Sequence, residues 1–80
     1  METIKQLANN QYYFYTESKI VFQSYETIVC TIENYEKGNE PIIKIAAGQP
    51  QSKTTAKYLN KFLETIIGVK NHKEIKALPL

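Results

Sequence analysis

The sequence predicts an α+β fold, in which a small antiparallel sheet of three to four strands carries one amphipathic helix on one face. Two observations lead to this fold class. Alternating apolar residues occur within residues 11–46, and apolar residues at three- and four-residue spacing follow over residues 52–67. The 80 residues suffice for a single domain, 1–80, near the lower size limit of a protein with one apolar core.

Residues 1–10 are expected to form either a short helical turn or an extended lead-in, since Ile4 and Leu7 stand at helical spacing. A strand is predicted next, over residues 11–16. Alternation along this strand puts two tyrosines on one face, Tyr13 and Tyr15. It puts two further aromatic residues on the other, Tyr12 and Phe14. Such a strand is expected to be covered on both faces or to face a partner.

Further strands are predicted at residues 20–23, 28–33 and 42–46. Residues 24–27 either turn or bulge between the first two of these. In residues 28–33, one face is expected to carry Ile28, Cys30 and Ile32, and the other Val29, Thr31 and Glu33. A hairpin turn is expected at residues 36–41, where Gly38 and Asn39 tolerate positive φ.

The helix is predicted over residues 52–67, with Ser52 as N-cap and Gly68 as the residue that ends it. Its apolar stripe consists of Ala56, Leu59, Phe62, Leu63, Ile66 and Ile67. Residues 69–80 form a basic tail. Within the tail, Ile75 and Leu78 are expected in a last helical turn that Pro79 terminates.

The composition narrows the chemistry that this chain can perform. Its formal net charge is +2, and all charged side chains are lysine or glutamate. With one cysteine, Cys30, and one histidine, His72, no metal site with four of the usual ligands can be built within one chain. Cys30 is expected to be a buried structural thiol and His72 a surface residue. We expect no catalytic residues, no metal and no cofactor, and therefore no enzyme.

Two further segments bear on function and location. Residues 48–54 follow a predicted strand, open the helix and end in Lys-Thr, but they lack the second glycine of a phosphate-binding loop and are one residue short. We therefore expect an ordinary capped helix there. No apolar run is long enough for a membrane span or a signal peptide, and one cysteine makes no internal disulfide. The expected location is the cytoplasm.

Partner binding is expected at exposed tyrosines and lysines. The candidate residues are Tyr12, Tyr13, Phe14, Tyr15, Tyr25, Lys53, Lys57 and Lys61. Three of these form a lysine stripe on the helix (Lys53, Lys57, Lys61), which is also what any amphipathic surface helix presents. A lysine ridge beside aromatics would suit single-stranded nucleic acid, and a tyrosine-rich strand suits protein recognition equally well. An exposed edge of a small sheet also favours a homodimer.

Two short motifs stand out in this chain, a strand of the form F-x-S-Y-x-T-x-V and a helix of the form S-x-T-T-x-K-x-x-x-x-F-L. Their positions here are Phe22, Ser24, Tyr25, Thr27, Val29, Ser52, Thr54, Thr55, Lys57, Phe62 and Leu63. With this pair of motifs the chain resembles small uncharacterised proteins of bacteriophages, prophages and related mobile elements. One departure is Tyr58, at a position where a histidine is expected after the lysine.

This resemblance implies a phage-type origin and gives no activity by itself. Small phage proteins without catalytic residues commonly bind a host protein, for example as inhibitors of CRISPR or other defence systems, and we extend this as a class-level analogy. The function expected is a small non-enzymatic binding protein that inhibits or modulates a host protein. The alternative is a nucleic-acid-binding accessory protein that uses the lysine stripe and exposed tyrosines.

Overall fold

The computed structural model describes residues 4–35 and 40–80, and it shows an α+β fold in which one helix packs on a six-stranded mixed sheet. The elements are β1 (Ile4–Ala8), β2 (Gln11–Tyr15), β3 (Lys19–Ser24), β4 (Thr27–Glu33), β5 (Ile42–Ile45), α1 (Lys53–Ile67), a 3₁₀ turn (His72–Glu74) and β6 (Leu78–Pro79). The strands lie in chain order, antiparallel up to β5, and β6 runs parallel to β5. The predicted fold class is confirmed, but three or four strands were too few.

The helix begins and ends as its sequence predicts. Ser52 has the extended backbone of an N-cap, and its Oγ accepts a hydrogen bond of 3.1 Å from the backbone N–H of Thr55. Gly68 adopts φ of 77°, where a side chain would be strained, and its N–H donates to the carbonyl of Glu64 at 3.0 Å. Both helix termini therefore satisfy backbone groups that would otherwise lack partners.

The core lies between α1 and one face of the sheet. The rings of Phe22 on β3 and Phe62 on α1 stack with centroids 5.4 Å apart. The side chains buried around this pair are Ile20, Val29, Cys30, Ile32, Ile43, Leu59 and Leu63. Burial of Cys30, expected from its position between apolar residues, is confirmed at 0% exposure. We call the sheet surface beneath α1 the helix-covered face.

Two of the additional strands come from terminal segments. Residues 4–8 take the extended alternative, because Asn10 with φ of 63° closes a tight turn that pairs β1 with β2. The helical turn expected at Ile75 and Leu78 was wrong. Leu78 and Pro79 instead pair with β5, and the N–H of Leu80 donates to the carbonyl of Ile45 at 3.2 Å. Both segments are too short for apolar spacing to distinguish helix from strand.

A bulge in β4 changes which of its residues share a face. Residue pairing joins Cys30 to Phe22 but Ile28 to Gln23, so Val29 is an extra residue on the β4 side. Ile28 is therefore removed from the face of Cys30 and is 36% exposed, while Val29 is fully buried. The expected grouping of Ile28 with Cys30 and Ile32 was wrong at this position. Residues 24–27 form the turn itself, with Tyr25 at φ of 56°.

The hairpin turn expected at residues 36–41 lies largely outside the described residues, which resume at residue 40. The two flanks are close together, because the side-chain amide of Asn34 donates to the carbonyl of Glu40 at 3.1 Å. β4 and β5 then pair in antiparallel fashion from Glu33 opposite Ile42 to Cys30 opposite Ile45. This arrangement agrees with the predicted hairpin on both sides of the turn.

Candidate partner-binding surface

The sheet surface opposite α1 is not covered by any other element of the described chain, and we call it the helix-free face. Alternation along each strand identifies its residues. The ring of Tyr13 contacts Phe62 on α1, so Tyr12 and Phe14, the residues on either side of Tyr13 in β2, point to the opposite face, together with the residues paired with them. Its apolar members are Ile4, Tyr12, Phe14, Val21, Ile28, Ile42 and Leu78. Its polar members are Gln6, Lys19, Gln23, Thr31, Glu33 and Lys44.

Apolar residues of the helix-free face are exposed at both edges of the sheet. Ile4 on β1 is 65% exposed and Leu78 on β6 is 53% exposed. Between β1 and β3 the surface forms a depression of about 190 Å³, lined by Ile4, Tyr12, Phe14 and Gln23. The Nε2 of Gln23 donates to the carbonyl of Tyr25 at 2.8 Å, which holds this polar side chain at the rim. The depression has the size and lining of a site for one apolar side chain.

The centre of the helix-free face is shielded by its own neighbouring side chains. Val21 and Thr31 oppose each other on β3 and β4, and they are only 5% and 2% exposed. Since no described helix or strand lies over them, the longer side chains around them exclude the water. The Oγ1 of Thr31 has no hydrogen-bond partner in the described chain. This part of the face is therefore dry before any partner binds.

One end of the helix-free face is charged. The Nζ of Lys44 lies 2.8 Å from Oε2 of Glu33, and both side chains are about one-third exposed. The hydrogen bond from Lys44 lowers the pKa of Glu33, and the positive charges of Lys44 and Lys19 lower it further. Lys44 and Glu33 neutralise each other, so Lys19 contributes the one charge in excess on this face.

The structure divides the aromatic residues of β2 between the two faces. Tyr12 and Phe14 lie on the helix-free face, as the alternation predicts. Tyr13 lies on the helix-covered face, with its ring centroid 5.6 Å from that of Phe62. Tyr15 follows at 6.3 Å from Tyr13, and partial burial together with neighbouring tyrosines raises the pKa of Tyr15. Tyr13 is therefore a packing residue, whereas Tyr12 and Phe14 are partly exposed on the face that α1 does not cover.

Tyr25 and the lysine stripe lie apart from these aromatics. Tyr25 is 58% exposed in the turn between β3 and β4, where its N–H donates to the carbonyl of Asn10 at 2.6 Å. The stripe of Lys53, Lys57 and Lys61 is exposed on α1. Since α1 covers the opposite face, the stripe and the pair Tyr12 and Phe14 lie on opposite sides of the sheet. The lysine ridge and the aromatic pair that were expected side by side therefore do not form one continuous surface.

The cysteine and the histidine are each held in a structural role. Burial raises the pKa of the Cys30 thiol to about 12, so the thiolate needed for nucleophilic attack is scarce. His72 is half-buried, and the Oδ1 of Asn60 lies 2.7 Å from both its backbone nitrogen and its Nδ1. Burial lowers the pKa of His72. His72 keeps part of its surface exposed, as expected, and its contacts with Asn60 also join the tail to α1.

Several polar contacts that the sequence did not predict lie near the start of α1. The Oγ of Ser24 lies 3.3 Å from Oγ1 of Thr55, and the hydroxyl of Ser52 donates to the same Thr55 oxygen at 3.1 Å. Gln11, the residue opposite Ser24, is 1% exposed and its side-chain amide has no partner in the described residues. Because Ser52 caps the helix, the phosphate-loop-like segment is used for folding, as expected.

Two absences hold for the parts of the chain that the structure describes. No group of three or more histidine, cysteine, aspartate or glutamate side chains is arranged to hold a metal ion there. No described helix is long and apolar enough to cross a membrane.

Comparison with known proteins gives one match. A family model described as "Family of unknown function (DUF8033)" matches residues 2–77, which is nearly the whole chain. No curated protein and no solved structure matches.

Proposed function

We propose that this chain, which belongs to the DUF8033 family, is a small non-enzymatic binding protein. It would bind and modulate another protein through its helix-free face. The observation that carries this proposal is the exposed apolar surface of a sheet whose opposite face is already filled by α1. Ile4 and Leu78 are more than half exposed at the two edges of this face, and a contiguous exposed apolar patch on a small monomer commonly marks an interaction site.

The composition of the helix-free face is that of a protein-binding surface. Tyr12 and Phe14 supply rigid aromatic area at low entropic cost, and they lie beside a depression able to receive one apolar side chain. Gln23 and the Lys44–Glu33 pair provide polar groups near its margin. Specific interfaces between proteins combine apolar area of this kind with polar groups that orient the partner.

A non-enzymatic role is supported by the state of the candidate nucleophile and base. Cys30 is fully buried, and its raised pKa keeps it protonated at neutral pH. His72 is engaged by Asn60 at two positions, so its Nδ1 already has a partner. Neither side chain is placed to activate a substrate on the helix-free face.

The proposed partner is a host protein, and the proposed origin of the chain is a phage or related mobile element acting in the host cytoplasm. This part rests on the motif resemblance and on the class-level analogy to inhibitors of CRISPR or other defence systems. Four of the motif positions make structural contacts here: Phe22 stacks on Phe62, and Ser24 contacts Thr55. The resemblance therefore concerns a shared fold, while the helix-free face is where the target would be selected.

The test is affinity capture from host lysate with mass spectrometry, using matched variants. We expect Phe14→Lys to lose the captured protein, because it places a charge at the centre of the apolar surface. Lys57→Glu, an exposed change on α1, should retain it. Loss of capture with Lys57→Glu and retention with Phe14→Lys would contradict the proposed surface.

A second candidate function, nucleic-acid binding, is favoured by one specific observation. The Nζ of Lys57 lies 5.4 Å from the ring centroid of Tyr58, so α1 presents an aromatic ring among the exposed lysines of the stripe. Gel-shift experiments with single- and double-stranded DNA across salt concentrations test this function. Binding that weakens steeply with salt and vanishes in the triple variant of Lys53, Lys57 and Lys61 would favour it over protein binding.

A further inference from the structure

We propose that in the free protein the helix-free face is covered by a second copy of the same chain, with the two sheets packed face to face about a twofold axis. This inference rests on the proposed function in one respect: the same surface would bind the host protein, so that the host protein and the second copy compete. The homodimer expected from the sequence is kept, but its interface moves from the strand edges to the sheet face.

Both edges of the sheet are poorly suited to pairing with another strand. The edge strand β1 carries Lys5, and its register with β2 shifts between Gln6 and Ala8. The opposite edge, β6, has two residues and includes Pro79, which has no N–H to donate. Lysine, irregular pairing, short length and proline are the features by which sheets avoid edge-to-edge association.

The charges also favour the helix-free face over the helix side. The lysine stripe on α1 would bring like charges together if two helices packed against each other. On the helix-free face, Lys44 is paired with Glu33 at 2.8 Å and Lys19 is the one charge in excess. Two copies therefore repel each other least when these faces meet.

The order of residues across the sheet makes the helix-free face complementary to itself. One row runs across all six strands, from Ile4 on β1 through Phe14, Val21, Thr31 and Lys44 to Leu78 on β6. A twofold axis parallel to the strands, between β3 and β4, places β1 of one copy over β6 of the other. Ile4 of each copy then faces Leu78 of the second copy, at the depression of about 190 Å³.

The same axis matches the charges. Lys19 and Glu33 oppose each other across β3 and β4 within one chain. Rotation about an axis between these strands puts β3 of one copy over β4 of the other. Lys19 of the first copy then faces Glu33 of the second, and Glu33 of the first faces Lys19 of the second. Each Lys19 thus meets a Glu33 carboxylate that it shares with Lys44, and the symmetry produces this contact twice.

The size of the face sets the strength of such a dimer. Strands of two to seven residues that lie about 4.8 Å apart give a face of roughly 400 Å² in projection. Side chains that project unevenly make the accessible area of a face larger than its projected area. Two such faces would therefore bury on the order of 1,000 Å² of accessible surface in total, at the lower limit of specific interfaces. We therefore expect a reversible dimer with a dissociation constant in the micromolar range, weak enough for a host protein to displace one copy.

Sedimentation velocity of the complete chain from low to high micromolar concentration tests the dimer. We expect a concentration-dependent dimer, and we expect Leu78→Lys to weaken it by about tenfold or more, since a lysine would enter an apolar contact. Leu78 is 53% exposed, so this variant should fold. Lys57→Glu on α1 is the matched control and should leave the dimer unchanged. A monomer at every concentration would overturn the inference.

A charge exchange tests the axis itself. Lys19→Glu and Glu33→Lys should each weaken self-association, because each variant places like charges together twice. An equimolar mixture of the two variants should form a dimer again, since every contact in the mixed dimer then joins opposite charges. Failure of the mixture to recover, with both variants folded by circular dichroism, would overturn the proposed arrangement, as would a dimer abolished only by Gln6→Pro at the β1 edge.

These outcomes are separable from those for the proposed function. If the protein is monomeric and Phe14→Lys still loses the captured host protein, the dimer fails and the binding function stands. If the mixed dimer forms and Phe14→Lys retains the captured protein, the dimer stands and the proposed binding surface fails.

Discussion

The two faces of one sheet differ in how far the chain itself has covered them. On the helix-covered face, Phe22 and Phe62 stack with no exposed surface, and the side chains around them are equally buried. On the helix-free face, Ile4 and Leu78 are 65% and 53% exposed. The same strands supply apolar side chains to both faces by simple alternation. The apolar side chains left exposed at the edges of the helix-free face are the observation on which the proposed binding function rests.

The difference also separates stability from recognition. Burying a large apolar side chain contributes about 1.5–3 kcal/mol, so the filled face accounts for most of the free energy that holds this small domain together. Side chains that stay half exposed contribute much less to the free energy of folding. Burial of their remaining apolar surface could instead contribute to the free energy of binding. Mutations on the two faces should then differ in both stability and partner binding.

The largest expected effect is that of Phe62→Ala, which removes the ring that Phe22 and Tyr13 contact. We expect a loss of about 3–5 kcal/mol in the free energy of unfolding, enough to unfold a domain of this size. Thermal melts followed by circular dichroism measure it. Phe14→Ala on the helix-free face is the matched control and should cost well under half as much. Equal costs would show that both faces are core.

A large chemical effect is expected at Cys30, on the helix-covered face. Its pKa is raised from 9.0 to about 12, which lowers the thiolate fraction at pH 8 by about a thousandfold. Burial at 0% exposure also blocks access of a reagent to Cys30. We expect no reaction with a thiol reagent in native buffer and full reaction in urea. Rapid native labelling would show that this face opens readily.

Tyr12 and Tyr13 offer a comparison between adjacent residues of β2. Tyr13→Ala removes a ring that packs 5.6 Å from Phe62 and should cost about 2 kcal/mol of unfolding free energy, whereas Tyr12→Ala should cost about half of that or less. Tyr12→Ala should instead weaken capture of the host protein. Urea unfolding and the capture experiment measure the two effects. The reverse ranking would exchange the roles assigned to the two faces.

The sequence predicted the helix-covered face more successfully than the helix-free one. Ser52, Gly68 and five residues of the apolar stripe of α1 act through local rules of capping and spacing and were placed correctly, whereas Thr55 is buried in place of Ala56. Cys30 was expected to be buried because apolar residues alternate around it. These features depend on neighbours within a few residues, so they can be read without knowing the tertiary fold.

The features that were missed depend on contacts between distant segments. The pairing of Leu78 with Lys44 recruits the tail as a sixth strand, and the contact of His72 with Asn60 joins the tail to α1. The bulge at Val29 reverses the side on which Ile28 lies. Alternation correctly put Tyr12 and Tyr13 on opposite faces of the sheet, but it could not show which face α1 would cover. The position of α1 decides which aromatic residues of β2 stay exposed.

The smallest expected effect is at Glu33 on the helix-free face, where Lys44 lowers the carboxyl pKa. Because the folded-state pKa lies below the unfolded one, the stabilisation is present above the unfolded value, about 4.3, and is lost as pH falls through the folded value. Glu33→Gln should therefore remove a small part of the acid sensitivity of unfolding. Urea midpoints at neutral and acidic pH measure it, and high salt should reduce the difference because the pair is exposed.

Protein concentration sharpens this last comparison. Below the dimerisation range, Glu33 interacts in water with Lys44 and Lys19 of its own chain, and the pH effect should stay small. Above that range, a second copy would exclude water from the pair and bring Lys19 to the same carboxylate, so the difference between the native protein and Glu33→Gln should grow. Cys30 reactivity should not change with concentration, because its face is already covered. A pH effect at Glu33 independent of concentration would contradict a covered helix-free face.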